Sequence, residues 1–445
     1  MSSKHIVNEL VRKLGLGEDL SVVLRGAGLT LIIQLTAVGL NYGSQILLAR
    51  WMGPFEFGVY VFAWSLALPI SVAATIGLSG AVIRFVPQYL TTESWSRLRG
   101  LVRRSTMITL AVGLGIVAAG ELLIFVLQPW LADYYVDPLR LALICIPFLS
   151  LIVLLSGLSR GFGWVGLAYA PQFLLVPGLT VFGVVAFKLF VGPLTAIRVL
   201  GLAIAACAVT ALWQAGRFRF AIPATVRGSQ PSYDTRLWVR VAVPLFLSDG
   251  VFLLLWSADE VMLGSMMGPD EVSIYHACVK TAGLTLVFFN ATTALAAPRF
   301  AALLVDRDRA HQEQFARSVS RWMFFPTLGL ALALIGLGSI VLSTFGSTFV
   351  AGYPVLIVLA LGYLAQAATG PVSAYLAVSG NQDAIVLVTA VAATTNVVFN
   401  LLLIPPFGVM GAAVASVLSA LVYQAWQYVL VRRRLHIDAF FLSRG

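Results

Sequence analysis

Charge is scarce in this chain. Only 11% of its 445 residues are Asp, Glu, Lys or Arg, while 59% are hydrophobic and the mean hydropathy is +0.92. A soluble protein of this length has no core large enough to hide so much apolar side chain, so the composition points to a polytopic membrane protein. Cysteine is almost absent. Cys145, Cys207 and Cys278 all sit in apolar runs, which excludes a disulfide framework and any cysteine-based metal spacing. The four histidines are scattered, which argues against a metal centre. No glycine-rich phosphate loop is present, so ATP hydrolysis is not the expected driver, and no cofactor is expected. No loop is long enough to form a separate domain or an active site outside the membrane.

The first twenty residues lack the short apolar core and small-residue cleavage site of a signal peptide. Ile6, Val7, Leu10, Val11 and Leu14 share one helical face, which suits a short interfacial helix or a plain solvated lead-in. Hydropathy then marks twelve spans, each of about 20 residues or more, enough to cross a hydrocarbon core. The largest interruption, Arg217 to Arg236, contains Pro223, Gly228, Ser229 and Pro231 and splits the spans six and six. The expected organisation is an N-terminal segment 1–21, an N-lobe 22–216, a linker 217–237, a C-lobe 238–431 and a tail 432–445. Arginines crowd alternate loops, among them Arg97, Arg99, Arg103 and Arg104, then Arg217, Arg219 and Arg227, then Arg432, Arg433 and Arg434. The positive-inside rule therefore places both termini in the cytoplasm. The net charge of +10 is mostly this orientation signal. It does not indicate nucleic acid, because the basic residues flank spans and do not alternate with stacking aromatics.

The halves are related. Residues 47–60, LLARWMGPFEFGVY, lie over 262–275, MLGSMMGPDEVSIY, and the register holds until Arg84-Phe85 meets Arg299-Phe300. Two ordinary hairpins with Gly-Pro turns would also match at the turn, but would not extend to Arg-Phe. An even number of spans per half makes the repeats parallel, the arrangement of a transporter whose pathway lies between two lobes.

Ionisable and polar groups within the spans are the functional candidates, since each needs a partner, water or a substrate. In span 1, Gln34, Asn41 and Gln45 fall on one face; in span 7, Asp249, Trp256 and Glu260 occupy the equivalent positions. Matching stripes suit two walls of a water-filled cleft, or polar contacts between packed helices. Asp259 lies beside Glu260. Lys280, two turns into span 8, is placed to pair with Asp249 or Asp259, or to present positive charge to an anionic substrate. Glu121, deep in span 3, either serves the pathway or bonds a neighbour, and Arg198, close to a span end, either serves it or snorkels to the interface.

LARWMGPFEFGVY, GLSGAVIRFVPQY, VPLFLSDGVFLLLWSADEVMLGSMMGPDEVSIYHA, NATTALAAPRF and the N-x-x-x-N-x-x-L-x-P-x-x-G-x-x-GAA pattern from Asn396 to Ala413 resemble the Wzx-like polysaccharide-transporter flippases of the multidrug/oligosaccharidyl-lipid/polysaccharide (MOP) exporter superfamily. The resemblance covers nearly the whole chain. It implies an all-α fold of two six-helix lobes, alternating access, and a bacterial cytoplasmic membrane location. It also implies a substrate made of a short glycan on a polyprenyl pyrophosphate, with membrane lipids, a glycan polymerase and glycosyltransferases as partners. Under it an acid is expected at Asp259 and a basic residue at Lys280, with Arg50 a further cavity residue and Arg84 and Arg299 at the cytoplasmic mouth. Few basic residues fall in the cavity, so the pyrophosphate site stays open. Three alternatives stand beside this one: a cation-coupled multidrug antiporter of the same superfamily, a membrane glycosyltransferase or polymerase, and a non-transporting scaffold of a glycan assembly complex. The outer loops are too short for the enzyme, and the uncharged stripe of span 1 disfavours the antiporter.

Overall fold

In a computed structural model, which describes residues 18–306 and 309–441, every regular element is a helix. The N-lobe contains α1 (Glu18–Met52), α2 (Pro54–Ala73), α3 (Leu78–Thr91), α4 (Trp95–Leu127), α5 (Asp133–Gly161), α6 (Val165–Phe190) and α7 (Ala196–Ala221). After a short α8 (Ala224–Gly228), the C-lobe repeats the plan: α9 (Thr235–Met266), α10 (Pro269–Ala282), α11 (Leu286–Asp306), α12 (Arg309–Ser343), α13 (Tyr353–Ala367), α14 (Val372–Val378) and α15 (Gln382–Arg434). The proposed interfacial helix within residues 1–17 lies outside the described residues.

The breaks follow from the residues that stand there. Gly53 and Gly268 adopt φ of 80° and 143°, which side chains disfavour, and each is followed by a proline in the first turn of the next helix. α15 bends at Gly408, where φ is 55° and ψ is −129°, just after Pro405 and Pro406. Its arms fold back on each other, with Gly411 against the Leu403 carbonyl and Asn396 Nδ2 donating to Ser419 Oγ at 3.2 Å. Nine helical stretches among the described residues are long and apolar enough to cross a membrane. One of them is α15, bent at Gly408, and α1 and α9 are 35 and 32 residues long.

Small residues set how closely the helices pack, as they do where no hydrophobic force drives helices together in lipid. Within the N-lobe, Gly157 of α5 lies against the Ser79 carbonyl and Gly113 of α4 against Pro147. Between the lobes, α2 and α3 pack on α9 and α10. A Cβ on Gly58 would overlap the Pro269 carbonyl, one on Gly77 the Ala242 carbonyl, and one on Gly264 the Phe62 ring. Tyr135 Oη donates to the Gly264 carbonyl at 3.2 Å, and Trp238 Nε1 to Tyr89 Oη at 3.0 Å.

The segments drawn as linker and tail are seated on the lobes. α7 extends to Ala221, Ser232 N donates to the Ser96 carbonyl at 2.9 Å, and Arg97 pairs with Asp234 at 3.2 Å. At the other end Ile437 and Ala439 are fully buried, Ser320 Oγ donates to the Ala439 carbonyl, and Phe441 stacks on Phe324 at 3.8 Å.

Candidate functional site

The repeat places Ser44, Gln45 and Tyr60 of the N-lobe over Asp259, Glu260 and Tyr275 of the C-lobe. These positions carry different chemistry in the two lobes.

In the N-lobe they border a cavity of about 320 Å³ between α1, α2, α5 and α6. α1 contributes Asn41, Ser44 and Gln45, α2 contributes Trp64 and Ser71, and α6 contributes Gln172 and Thr180. No charged side chain lines it. Several of the polar groups are held locally: Asn41 Nδ2 donates to the Ala37 carbonyl at 2.8 Å and Ser44 Oγ to the Asn41 carbonyl at 2.6 Å. Others are open. Among the described residues the Gln172 amide and the Trp64 indole N–H have no hydrogen-bond partner. Gln172 and Phe173 stand on a π turn, Pro171–Leu175, of the kind that recurs at functional sites.

In the C-lobe the equivalent positions are largely buried. Asp259 of α9 is 8% exposed. Its carboxylate accepts from Tyr275 Oη at 2.8 Å, from Asn396 Nδ2 at 2.9 Å, from Asn400 Nδ2 at 2.6 Å and from Ser416 Oγ. Four donors from α10 and both arms of α15 surround the buried carboxyl group and satisfy its oxygens. Asn396 and Asn400 share a helix face and bond each other at 3.1 Å. A carboxylate so placed can exchange a proton or, with an amide turned, face a small monovalent cation. Among the described residues no three His, Cys, Asp or Glu come together as a metal cluster.

A third group joins the lobes. His276 Nδ1 sits 2.6 Å from Glu260 Oε1, and its Nε2 sits 3.1 Å from Gln45 Oε1. Phe57 and Phe349 pack around this contact, with Phe57 edge-on to the imidazole at 5.8 Å. Tyr42 and Thr281 hydroxyls meet beside it at 3.1 Å.

The structure places the other candidates as follows. Asn41 and Gln45 both line the cavity inside the N-lobe, and of the two Gln45 also reaches the other lobe through His276. Gln34 is exposed and stands apart from that cavity. The side chains of Asp249 and Trp256 lie outside the described residues, so a pairing of Asp249 with Lys280 does too. The expected pairing of Lys280 with Asp259 is not formed: the carboxylate is saturated by four neutral donors, and Lys280 is exposed and makes no ion pair among the described residues. Arg50, Arg84 and Arg299 are exposed, Arg50 in the last turn of α1, Arg84 in the middle of α3 and Arg299 within α11. Glu121 is paired with Arg140 at 3.5 Å, and Arg198 donates to the Pro193 carbonyl and lies over Phe187.

Sequence reasoning passed over His276, Asn400 and Ser416. The amide pair four residues apart on one face of an apolar span was the available signal for Asn396 and Asn400. His276 carried none, because its partners are 16 and 231 residues away.

The sequence matches the family described as polysaccharide biosynthesis protein over residues 23–304. The chain belongs to this family. No curated protein matches it significantly. Among solved structures, the fold is similar to an inward-facing multidrug resistance MATE family transporter of the MOP superfamily, with a TM-score of 0.76 and 16% identity over 91% of this chain and 98% of that one. It is similar to the lipid II flippase MurJ in an inward closed conformation, with a TM-score of 0.72 and 15% identity over 91% and 87%. It is also similar to a MOP superfamily transporter from Pyrococcus furiosus, with a TM-score of 0.66 and 15% identity over 94% and 96%. The protein therefore has the two-lobe MOP transporter fold and is a multi-pass membrane protein.

Proposed function

We propose that this protein flips a polyprenyl-pyrophosphate-linked oligosaccharide across the cytoplasmic membrane of a bacterium, by alternating access between its lobes, for synthesis of a surface or secreted polysaccharide. The observation that carries the reading is the family match over residues 23–304. The uncharged polar lining of the N-lobe cavity supports it, since an organic cation would call for a carboxylate there. Both termini face the cytoplasm in this reading, on the arginine distribution. Lys280, exposed and without an ion pair among the described residues, is the basic residue offered to the pyrophosphate, with Arg50 as a second. The glycan polymerase and glycosyltransferases of the same route are its functional partners.

A second reading, a cation-coupled multidrug antiporter, has one observation behind it: Asp259, a buried acid confined to one lobe. Deleting the gene separates the two. The expected outcome is loss of the polysaccharide, with lipid-linked repeat units accumulating on the cytoplasmic side. Normal polysaccharide in a strain with no second flippase, together with new sensitivity to cationic drugs, would select the antiporter.

A further inference from the structure

The N-lobe cavity is polar without being charged, and that combination specifies a ligand class. A phosphate would call for a cation and an ammonium for a carboxylate; neither lines the cavity. A sugar ring needs donors and acceptors side by side for its hydroxyls and a flat apolar surface for its C–H face. The amides of Asn41, Gln45 and Gln172 carry both kinds of hydrogen-bonding group. Trp64 and Phe173 supply the aromatic surface. The open Gln172 amide and Trp64 N–H are groups that a ligand would satisfy, and the π turn at Pro171–Leu175 is where Gln172 enters the cavity wall. At about 320 Å³ the space is at the small end of ligand pockets, suited to a terminal sugar and too small for a whole lipid-linked unit.

One lining residue also faces the other lobe. The Gln45 carbonyl oxygen that could accept from a sugar hydroxyl is the atom 3.1 Å from His276 Nε2. A ligand that takes this oxygen takes it from the contact holding α1 to α10.

We propose that the N-lobe cavity binds an uncharged sugar of the cargo glycan, and that Gln45 transmits its presence to the C-lobe by releasing His276. The proposal rests on the glycolipid reading above and adds where the glycan is gripped. The test uses the purified full-length protein in lipid nanodiscs and three probes. They are the lipid-linked oligosaccharide fraction of the producing cells, the free oligosaccharide released from it by mild acid, and the cationic dye rhodamine 6G. Binding is read by tryptophan fluorescence and by the shift in melting temperature. The free oligosaccharide should bind wild type, and Gln172→Leu, with its ligand-free melting temperature unchanged, should weaken that binding about tenfold, as expected for one lost amide interaction. Trp64→Phe, which keeps the ring and loses the N–H, should weaken it less. His276→Phe should tighten it, because Gln45 is freed. If the intact fraction binds equally to wild type and Gln172→Leu while the free oligosaccharide does not bind, the sugar site is overturned and the glycolipid reading stands. If only rhodamine 6G binds, both are overturned. Unchanged binding in His276→Phe, with Gln172 still required, would overturn the role given to Gln45.

Discussion

Where α1 of the N-lobe places Ser44 beside an open cavity, α9 of the C-lobe places Asp259 in a closed knot of four hydrogen bonds. The backbone plan is shared: both lobes open with a helix, a positive-φ glycine and a proline, and Tyr60 and Tyr275 hold equivalent places. The side chains decide the rest. A buried carboxylate draws donors around itself until the space is filled, whereas a serine bonded to its own helix makes no such demand. One lobe is thereby free to change its occupant, and the other is committed to a fixed polar core. The contact between them, Gln45 with His276 and Glu260, spans this difference.

The largest effect expected from breaking the comparison is at Asp259. Asp259→Ala removes the acceptor shared by Asn396, Asn400, Tyr275 and Ser416, which keep only their bonds to one another and to Ser419; at about 1–3 kcal/mol for each donor left unpaired, this is expected to be the largest loss of the set. The equivalent Ser44→Ala removes one local bond and should cost less than about 1.5 kcal/mol. Thermal unfolding in one detergent measures both, and equal losses would erase the distinction between the lobes. His276→Ala should come next. It leaves Glu260 buried without its partner, an effect of about 3–5 kcal/mol for pairs that are fully desolvated and somewhat less here, where Glu260 is 13% exposed. Adding Glu260→Gln should recover much of the loss; a double variant as unstable as the sum of its parts would show that the two side chains act separately. Gly58→Ala should cost about 1–3 kcal/mol through overlap with the Pro269 carbonyl, whereas Gly39→Ala, with open space around it, should be neutral or slightly stabilising. Melting temperatures of the two glycine variants test whether α2 and α10 are as closely fitted as their backbones indicate.

The scaffold was legible because its signals are local. Gly53-Pro54 and Gly268-Pro269 force the same turn wherever they occur, and runs of apolar residues announce spans without reference to their neighbours. Even the repeat needs only one register. The candidate site was legible only in part. The period of α1 placed Asn41 and Gln45 on one face but could not say whether that face met the other lobe or the inside of its own. Its position along span 8 put Lys280 between the levels of Asp249 and Asp259, yet depth is one coordinate of three, and two of the donors that occupy Asp259 come from 137 and 141 residues further along the chain. Neutral donors are easily passed over when a buried acid is being matched with a base. Glu121 illustrates the converse: one of its two readings was a bonded neighbour, and Arg140 on the neighbouring helix is that neighbour.

The central claim is that the two lobes together move a lipid-linked glycan, and vesicles test it most directly. The purified protein is reconstituted into liposomes carrying the lipid-linked oligosaccharide fraction, and the share of glycan open to periodate on the outer face is followed with time. The account predicts that wild-type protein brings glycan from the inner to the outer leaflet well above the rate of protein-free vesicles, and that Lys280→Ala slows this while leaving the melting temperature near wild type. Glycan that stays where it began with wild-type protein present, in vesicles that nonetheless accumulate rhodamine 6G, would contradict it.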